Sequence, residues 1–406
     1  MSAEQRFLLL LILVGAVATV LGLVSKRARV LPYPVVLAAA GIAVGLLPGG
    51  QFPRIGGSVI LLAFVPGIIF EAALTLDLDE LRRRIMPVGL LATAGVAITV
   101  LLIGTLTHFT IGLSWANAML LGAILAATDP IAVITLLRRL KAPAGLAAIL
   151  EGESLFNDGT GVAVFSAVLF TIVSGAPSFG DATVRFFEIT LGGTAIGLAA
   201  GFLGLALLRF AEDAPLEILA TLVIAYGSYL AADLLHASGI VAVVVAGIVV
   251  ARYGTRIGRL HGPQLLGFWN LLAFVLNAVL FILVGAALPA TTVLPVAGLV
   301  LITYLVMLLT RAVPVYGLLA LADMRGRFIP WAWRHVTFWA GLRGALSVAL
   351  ALTVASTTGV DSRVSVIAYG VVLLSLLLQG GLMGPLMHSL KIEPAGAQSG
   401  VKDGTS

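Results

Sequence analysis

The chain has 406 residues, of which 60% are hydrophobic and only 11% charged, with a formal net charge of +5 and no cysteine. That balance excludes a soluble globular protein of this length, and the missing cysteines exclude disulfides and thiolate metal sites. The basic residues sit singly or in threes rather than in one patch, so the positive balance is no sign of a nucleic-acid partner.

Apolar runs of about twenty residues, the length needed to cross a bilayer, recur from end to end. Thirteen spans are predicted, over 6–24, 30–47, 57–74, 86–109, 115–137, 144–170, 186–209, 216–235, 238–252, 264–288, 294–320, 333–356 and 362–390. The first is followed by Lys26-Arg27-Ala28-Arg29 and carries no clear cleavage site, so it reads as a span rather than a removed signal peptide. The third carries Glu71 near one end, open to two readings: a cation-attracting group in an access funnel, or an ordinary interfacial residue.

The fifth span contains Thr128-Asp129-Pro130. Proline lacks an N–H and pushes the residue before it out of helical geometry, so the helix is predicted to break near Thr128 and Asp129. Freed carbonyls and the Thr128 hydroxyl are candidate cation ligands. A plain proline kink is the bland alternative, but a kink needs no adjacent buried aspartate. A carboxylate at bilayer depth costs about 2.5–3.5 kcal/mol on insertion scales, so Asp129 reads as functional.

The sixth span contains Glu153-Ser154-Leu155-Phe156-Asn157-Asp158, with Thr160 close by. The spacing predicts that Glu153, Ser154, Asn157 and Asp158 share one helix face. Glu153 and Asn157 have two open readings, ion site or interhelical hydrogen bonding. Asp158 is the acid best placed to titrate. Hard oxygens of this kind suit Na+ or Li+ rather than a transition metal.

In the second half, Arg311 lies inside the eleventh span and is read as structural. Arg343, in Gly341-Leu342-Arg343-Gly344, lies inside the twelfth and is expected to pair with a carboxylate, Glu153 first, or with helix-end carbonyls. The five histidines fall near span ends and form no motif. Residues 391–406 form a short Gly/Ser-rich tail, expected to be disordered and cytoplasmic, with no soluble domain after the last span.

With the N-terminus outside, eighteen of the 24 basic residues fall on the cytoplasmic side and four on the outer side, so the positive-inside rule predicts N-out and C-in. An odd count of spans permits six, a linker and six more in inverted orientation. The breaks of the fifth and twelfth spans would then be equivalent and meet at the midplane. The expected fold class is therefore an all-α polytopic membrane protein with broken helices that cross. Its expected setting is the inner membrane of the cell.

Thr128-Asp129-Pro130, Gly152-Glu153-Ser154-Leu155-Phe156-Asn157-Asp158-Gly159, Ile69-Phe70-Glu71-Ala72 and Gly341-Leu342-Arg343-Gly344-Ala345-Leu346-Ser347 together resemble the NhaP/NHE sodium/proton exchangers. The resemblance covers essentially the whole chain. It implies a homodimer, with interface helices in 1–85 and 186–290 and an ion-transporting core in 86–185 and 291–390 that moves like an elevator. It implies ion coordination by Asp158, Asp129, Ser154, the Thr128 backbone and Glu71, with Asn157, Glu153, Arg343 and Pro130 in support. No cofactor is implied beyond the transported Na+ or Li+ and protons. In this family an Asn-Asp pair, here Asn157-Asp158, accompanies electroneutral exchange. Many members carry a large cytoplasmic regulatory tail; the sequence is expected to be without one, so regulation by such a domain is not part of what the resemblance implies here. Three alternatives remain: K+ in place of Na+, a channel, or an intramembrane aspartyl protease using Asp129 and Asp158. Against the protease, a dyad needs neither Thr128 nor Asn157, and its glycine-flanked aspartate motif is missing.

Overall fold

A computed structural model describes residues 15–17, 19–20, 22, 33–45, 56–129, 131–175, 179–254, 263–286, 290–326, 328–355, 357–390 and 392. The first predicted span therefore lies mostly outside the described residues, as do Pro130 and nearly all of the tail. In chain order the helices are α1 (Tyr33–Gly45), α2 (Gly57–Thr75), α3 (Leu78–Arg83), α4 (Ile85–Ile111), α5 (Trp115–Ile124), α6 (Ile131–Arg139) and α7 (Ala144–Val173). They continue with α8 (Phe179–Leu208), α9 (Ala214–Leu234), α10 (Gly239–Gly254), α11 (Pro263–Ala286), α12 (Ala297–Met324), α13 (Trp331–Trp339), α14 (Ala345–Val354) and α15 (Ser362–Ser389). Every predicted span from the second onward meets one of these helices or a pair of half-helices. Among the described residues, eight helices are long and apolar enough to cross a membrane.

Local chemistry sets the ends. The Asp77 carboxylate accepts from the N–H groups of Asp79 and Glu80 at 3.1 and 2.9 Å to start the short polar α3, and Asp213 does the same for α9 through Leu216. Gly112, at φ +69°, ends α4 in the left-handed conformation that glycine adopts without cost. Inside α4 and α15, residues 91–95 and 375–380 are π-helical, which frees carbonyls that a regular helix would occupy.

α1, α2, α9, α10 and α11 pack on one another, with α8 lying along α10, and α4, α5, α7, α12, α14 and α15 form a second group; the two meet where α7 packs on α8 and α10 and where α14 packs on α2. α8 approaches α10 closely because Gly193, Gly197 and Gly201 leave no side chains between them, a usual device where lipid gives no hydrophobic drive for helix association. In the second group α5, α4 and α15 bury Ile103, Leu121, Ile124 and Ile367 completely.

Two spans are broken. Between α5 and α6 the backbone unwinds through residues 125–129, and between α13 and α14 through 341–344. The unwound segments cross in contact: the Asp129 N–H donates to the Leu342 carbonyl at 2.8 Å.

Candidate ion site at the helix crossing

A broken helix leaves carbonyls without partners at one stub and N–H groups without partners at the other, and neither can be left bare away from water. At the end of α5 the other half of the chain supplies the donors. Ser347 Oγ donates to the Ile124 carbonyl at 2.7 Å, and Arg343 Nη1 donates to the carbonyls of Ala126 and Ala127 at 2.9 and 3.1 Å. Arg343 is completely buried, its own N–H donates to Ser375 Oγ at 3.1 Å, and its positive charge stands at the negative end of α5. At the opposite stub, the Asp129 carboxylate accepts from the Ile131 N–H at 3.0 Å and so caps α6. Asp129 also lies against the start of α14: a methyl group added to Gly344 would overlap its carboxyl group. Two helix N-termini thus favour a negative charge at this position.

α7 holds the crossing from the side. Ser154 Oγ donates to the Thr128 carbonyl at 2.5 Å, and Asn157 Nδ2 donates to Thr128 Oγ1 at 2.7 Å. The Thr128 N–H returns to Asn157 Oδ1 at 3.4 Å. Asn157 thus clamps the unwound segment from α7.

A cavity of about 360 Å³ opens onto this arrangement. Its floor is formed by Thr128, Asp129, Ser154, Asp158 and Gly344, and its sides by α2, α6, α7 and α11. Glu71 lines the same cavity from α2. Toward the mouth, Arg138 of α6 pairs with Glu151 of α7 at 3.3 Å. From Asp158 to Glu151 is seven residues, about 10 Å of helix. The predicted ion-site residues Glu71, Thr128, Asp129, Ser154 and Asp158 are thus brought to one cavity, and all of them offer oxygen. Such a set suits a hard monovalent cation and a proton competing for the same carboxylates.

Three expectations need correction. Glu153 does not pair with Arg343. It is held by Arg311 at 2.9 Å, and Arg343 takes the alternative partners, the helix-end carbonyls. Arg311 also donates to the carbonyls of Thr337 and Phe338 at the end of α13, at 3.0 and 3.4 Å. It fits there because Gly341 has no side chain; a Cβ at that position would overlap its guanidinium. Second, the α7 polar residues do not share one face. Ser154 and Asp158 line the cavity, while Glu153 and Asn157 face a small pocket shared with Thr99 and Arg311, because neighbouring helical residues diverge by about 100°. Third, Thr160 leaves the stripe and donates to the Ala92 carbonyl, in the π-helical stretch of α4, at 2.7 Å. Pro130 lies outside the described residues; the backbone before it is unwound through 125–129, and helix resumes at Ile131. Arg311 was the residue least legible beforehand: a lone arginine within an apolar span marks a buried partner, but not which one.

The comparisons agree with this geometry. The family described as sodium/hydrogen exchanger, transmembrane, matches residues 13–389. The Na(+)/H(+) antiporter ApNhaP of Aphanothece halophytica is 37% identical over 394 residues, 95% of this chain and 74% of that protein. The Na(+)/H(+) antiporter NhaP of Pseudomonas aeruginosa is 36% identical over 353 residues, 83% of this chain and 82% of that protein. The solved sodium proton antiporter MjNhaP1 of Methanocaldococcus jannaschii superposes with a TM-score of 0.77 over 95% of this chain and 99% of that one, at 23% identity, a likeness of fold. On its sequence and over almost its whole length, the chain belongs to the transmembrane sodium/hydrogen exchanger family.

Proposed function

We propose that the protein exchanges Na+, or Li+, for H+ across the cell membrane, one for one. The observation that carries this reading is the convergence of Asp158, Asp129, Ser154 and the unwound Thr128 at the floor of one cavity. Asp158 holds either a proton or the cation. Asp129 and the oxygens of Thr128 and Ser154 complete the cation's shell. Asn157 has no proton to exchange, so each crossing of the loaded site carries the same net charge and transport is electroneutral. The protein is not an enzyme in the catalytic sense; it does its work by exposing the site to alternate sides.

The two packing groups suit that motion. The group bearing the crossing is the moving core, and α1, α2 and α8–α11 form the fixed scaffold through which two copies associate. The N-terminus lies outside and the C-terminus in the cytoplasm.

The test is reconstitution in liposomes with a trapped pH dye, adding Na+, Li+ and K+ in turn. Na+ or Li+ should release the pH gradient, and an imposed membrane potential should not alter the rate. A response to K+ alone would replace Na+ by K+ as substrate, and a current that follows voltage would remove electroneutrality. With direct competition at Asp158, the acidic limb of the pH profile moves to lower pH as Na+ rises; a fixed limb would refute competition.

A further inference from the structure

The cavity has two walls of different chemistry. One carries Asp129 and Asp158; the other is formed by α2 and α11, which belong to the opposite packing group. α11 faces the cavity with Asn270, Ala273, Phe274, Asn277 and Leu280, the spacing of a single helical face. Asn270 Nδ2 donates to the Leu266 carbonyl and Asn277 Nδ2 to the Ala273 carbonyl, each at 2.8 Å. A backbone carbonyl can only accept, so each amide must turn its nitrogen to the helix and its Oδ1 outward. The outcome is a pair of carbonyl oxygens two turns apart along the wall opposite the floor carboxylates.

An asparagine bonded to its own helix can simply be satisfying itself. Against that, these are the only asparagines of α11, and both lie on its cavity face. The rest of that face is apolar, where an alanine or leucine would cost less. Glu71 lines the same side of the cavity from α2 and has no ion pair among the described residues; Arg138 at the mouth pairs directly with Glu151 and reaches Glu71 only through its longer-range field. The wall therefore presents one carboxylate without a direct ion pair and two neutral oxygens, which attract a monovalent cation without holding it tightly.

We propose that Asn277 and Asn270, with Glu71, form a second cation station on the scaffold wall, which receives a hydrated Na+ before it passes to Asp129 and Asp158. This rests on the exchange reading above, and it assigns the asparagines to specificity and delivery rather than to coupling.

Two measurements on the full-length protein decide it. In proteoliposomes, Asn277→Leu and Asn270→Leu should each raise the KM for Na+ by about three- to tenfold, the loss of one neutral oxygen contact, with kcat within about twofold of wild type. Asn277→Asp should return KM to the wild-type value or below, since it restores the oxygen and adds a charge. In detergent, the Na+ concentration that half-saturates thermal protection should rise by a similar factor in the Leu variants. Asn277→Ala and Asn270→Ala, which relieve any crowding by leucine, should behave alike. Wild-type KM in both Leu variants, or a fall in kcat at constant KM, would overturn the station and leave the residues as packing groups. If wild type shows no Na+/H+ exchange, the proposed function fails; the protection assay still judges the station, and unchanged half-saturation in the variants sinks it.

Discussion

The Glu153–Arg311 pair offers the sharpest test of how the crossing is held. Both side chains are buried, at 3% and 6% exposure, and lie 158 residues apart in sequence. Removing one partner of such a pair strands the other and costs about 3–5 kcal/mol. The two members should differ within that range. Glu153→Leu leaves the guanidinium still bonded to the Thr337 and Phe338 carbonyls, so about 3 kcal/mol is expected. Arg311→Leu strands the carboxylate and also unmakes both carbonyl bonds at the end of α13, so about 5 kcal/mol is expected. The double variant strands no charge. Its cost should fall short of the sum by about 3 kcal/mol or more, and so be no worse than that of Arg311→Leu alone. Thermal unfolding midpoints in one detergent, read by tryptophan fluorescence, supply the order: wild type, then Glu153→Leu, then the double variant level with or above Arg311→Leu. A double-variant shift equal to the sum of the two single shifts would refute the pairing.

Asp158→Asn should abolish Na+-driven proton flux while the purified protein keeps its unfolding midpoint to within a few degrees; near-normal flux would end the role of Asp158 as the shared carrier. Asp129→Asn should raise the KM for Na+ by at least about tenfold, and Thr128→Ala by less, because the Thr128 carbonyl survives the second change; the liposome assay over a Na+ series separates them. Gly344→Ala should impair exchange although it removes no ligand, since its methyl group must displace the Asp129 carboxyl; flux equal to wild type would show that the crossing can widen without loss.

Much of this was readable from the chain alone, for identifiable reasons. Span ends are set by hydropathy over some twenty residues, a local property. The breaks near Asp129 and Arg343 were marked by proline and by paired glycines within apolar runs. The gathering of Asp129, Asp158, Ser154, Thr128 and Glu71 followed because oxygen-bearing side chains inside a bilayer have few places to go. Pair identity was not readable. The sequence holds two intramembrane arginines and a candidate partner, Glu153, and helical spacing cannot say which arginine reaches it. The carbonyls that satisfy Arg343 leave no mark in sequence at all. The split of the α7 stripe was hidden for a similar reason: adjacent positions differ by about 100°, and only the neighbouring helices decide which side becomes cavity.

The bonds at the crossing join distant parts of the chain. Arg343 reaches Ala127 across 216 residues, and Ser347 reaches Ile124 across 223. At about 5–20 residues per second, the ribosome needs roughly 10–40 s after finishing Ala127 to deliver Arg343. For that interval α5 and α6 exist without the guanidinium and hydroxyl that will quiet their open carbonyls. The nascent protein must therefore keep this break near water, or in the shelter of the insertion machinery, until its last quarter arrives. Assembly of the ion pathway is a late event of biosynthesis, and a chain truncated before Arg343 can insert most of its helices yet never form a working site.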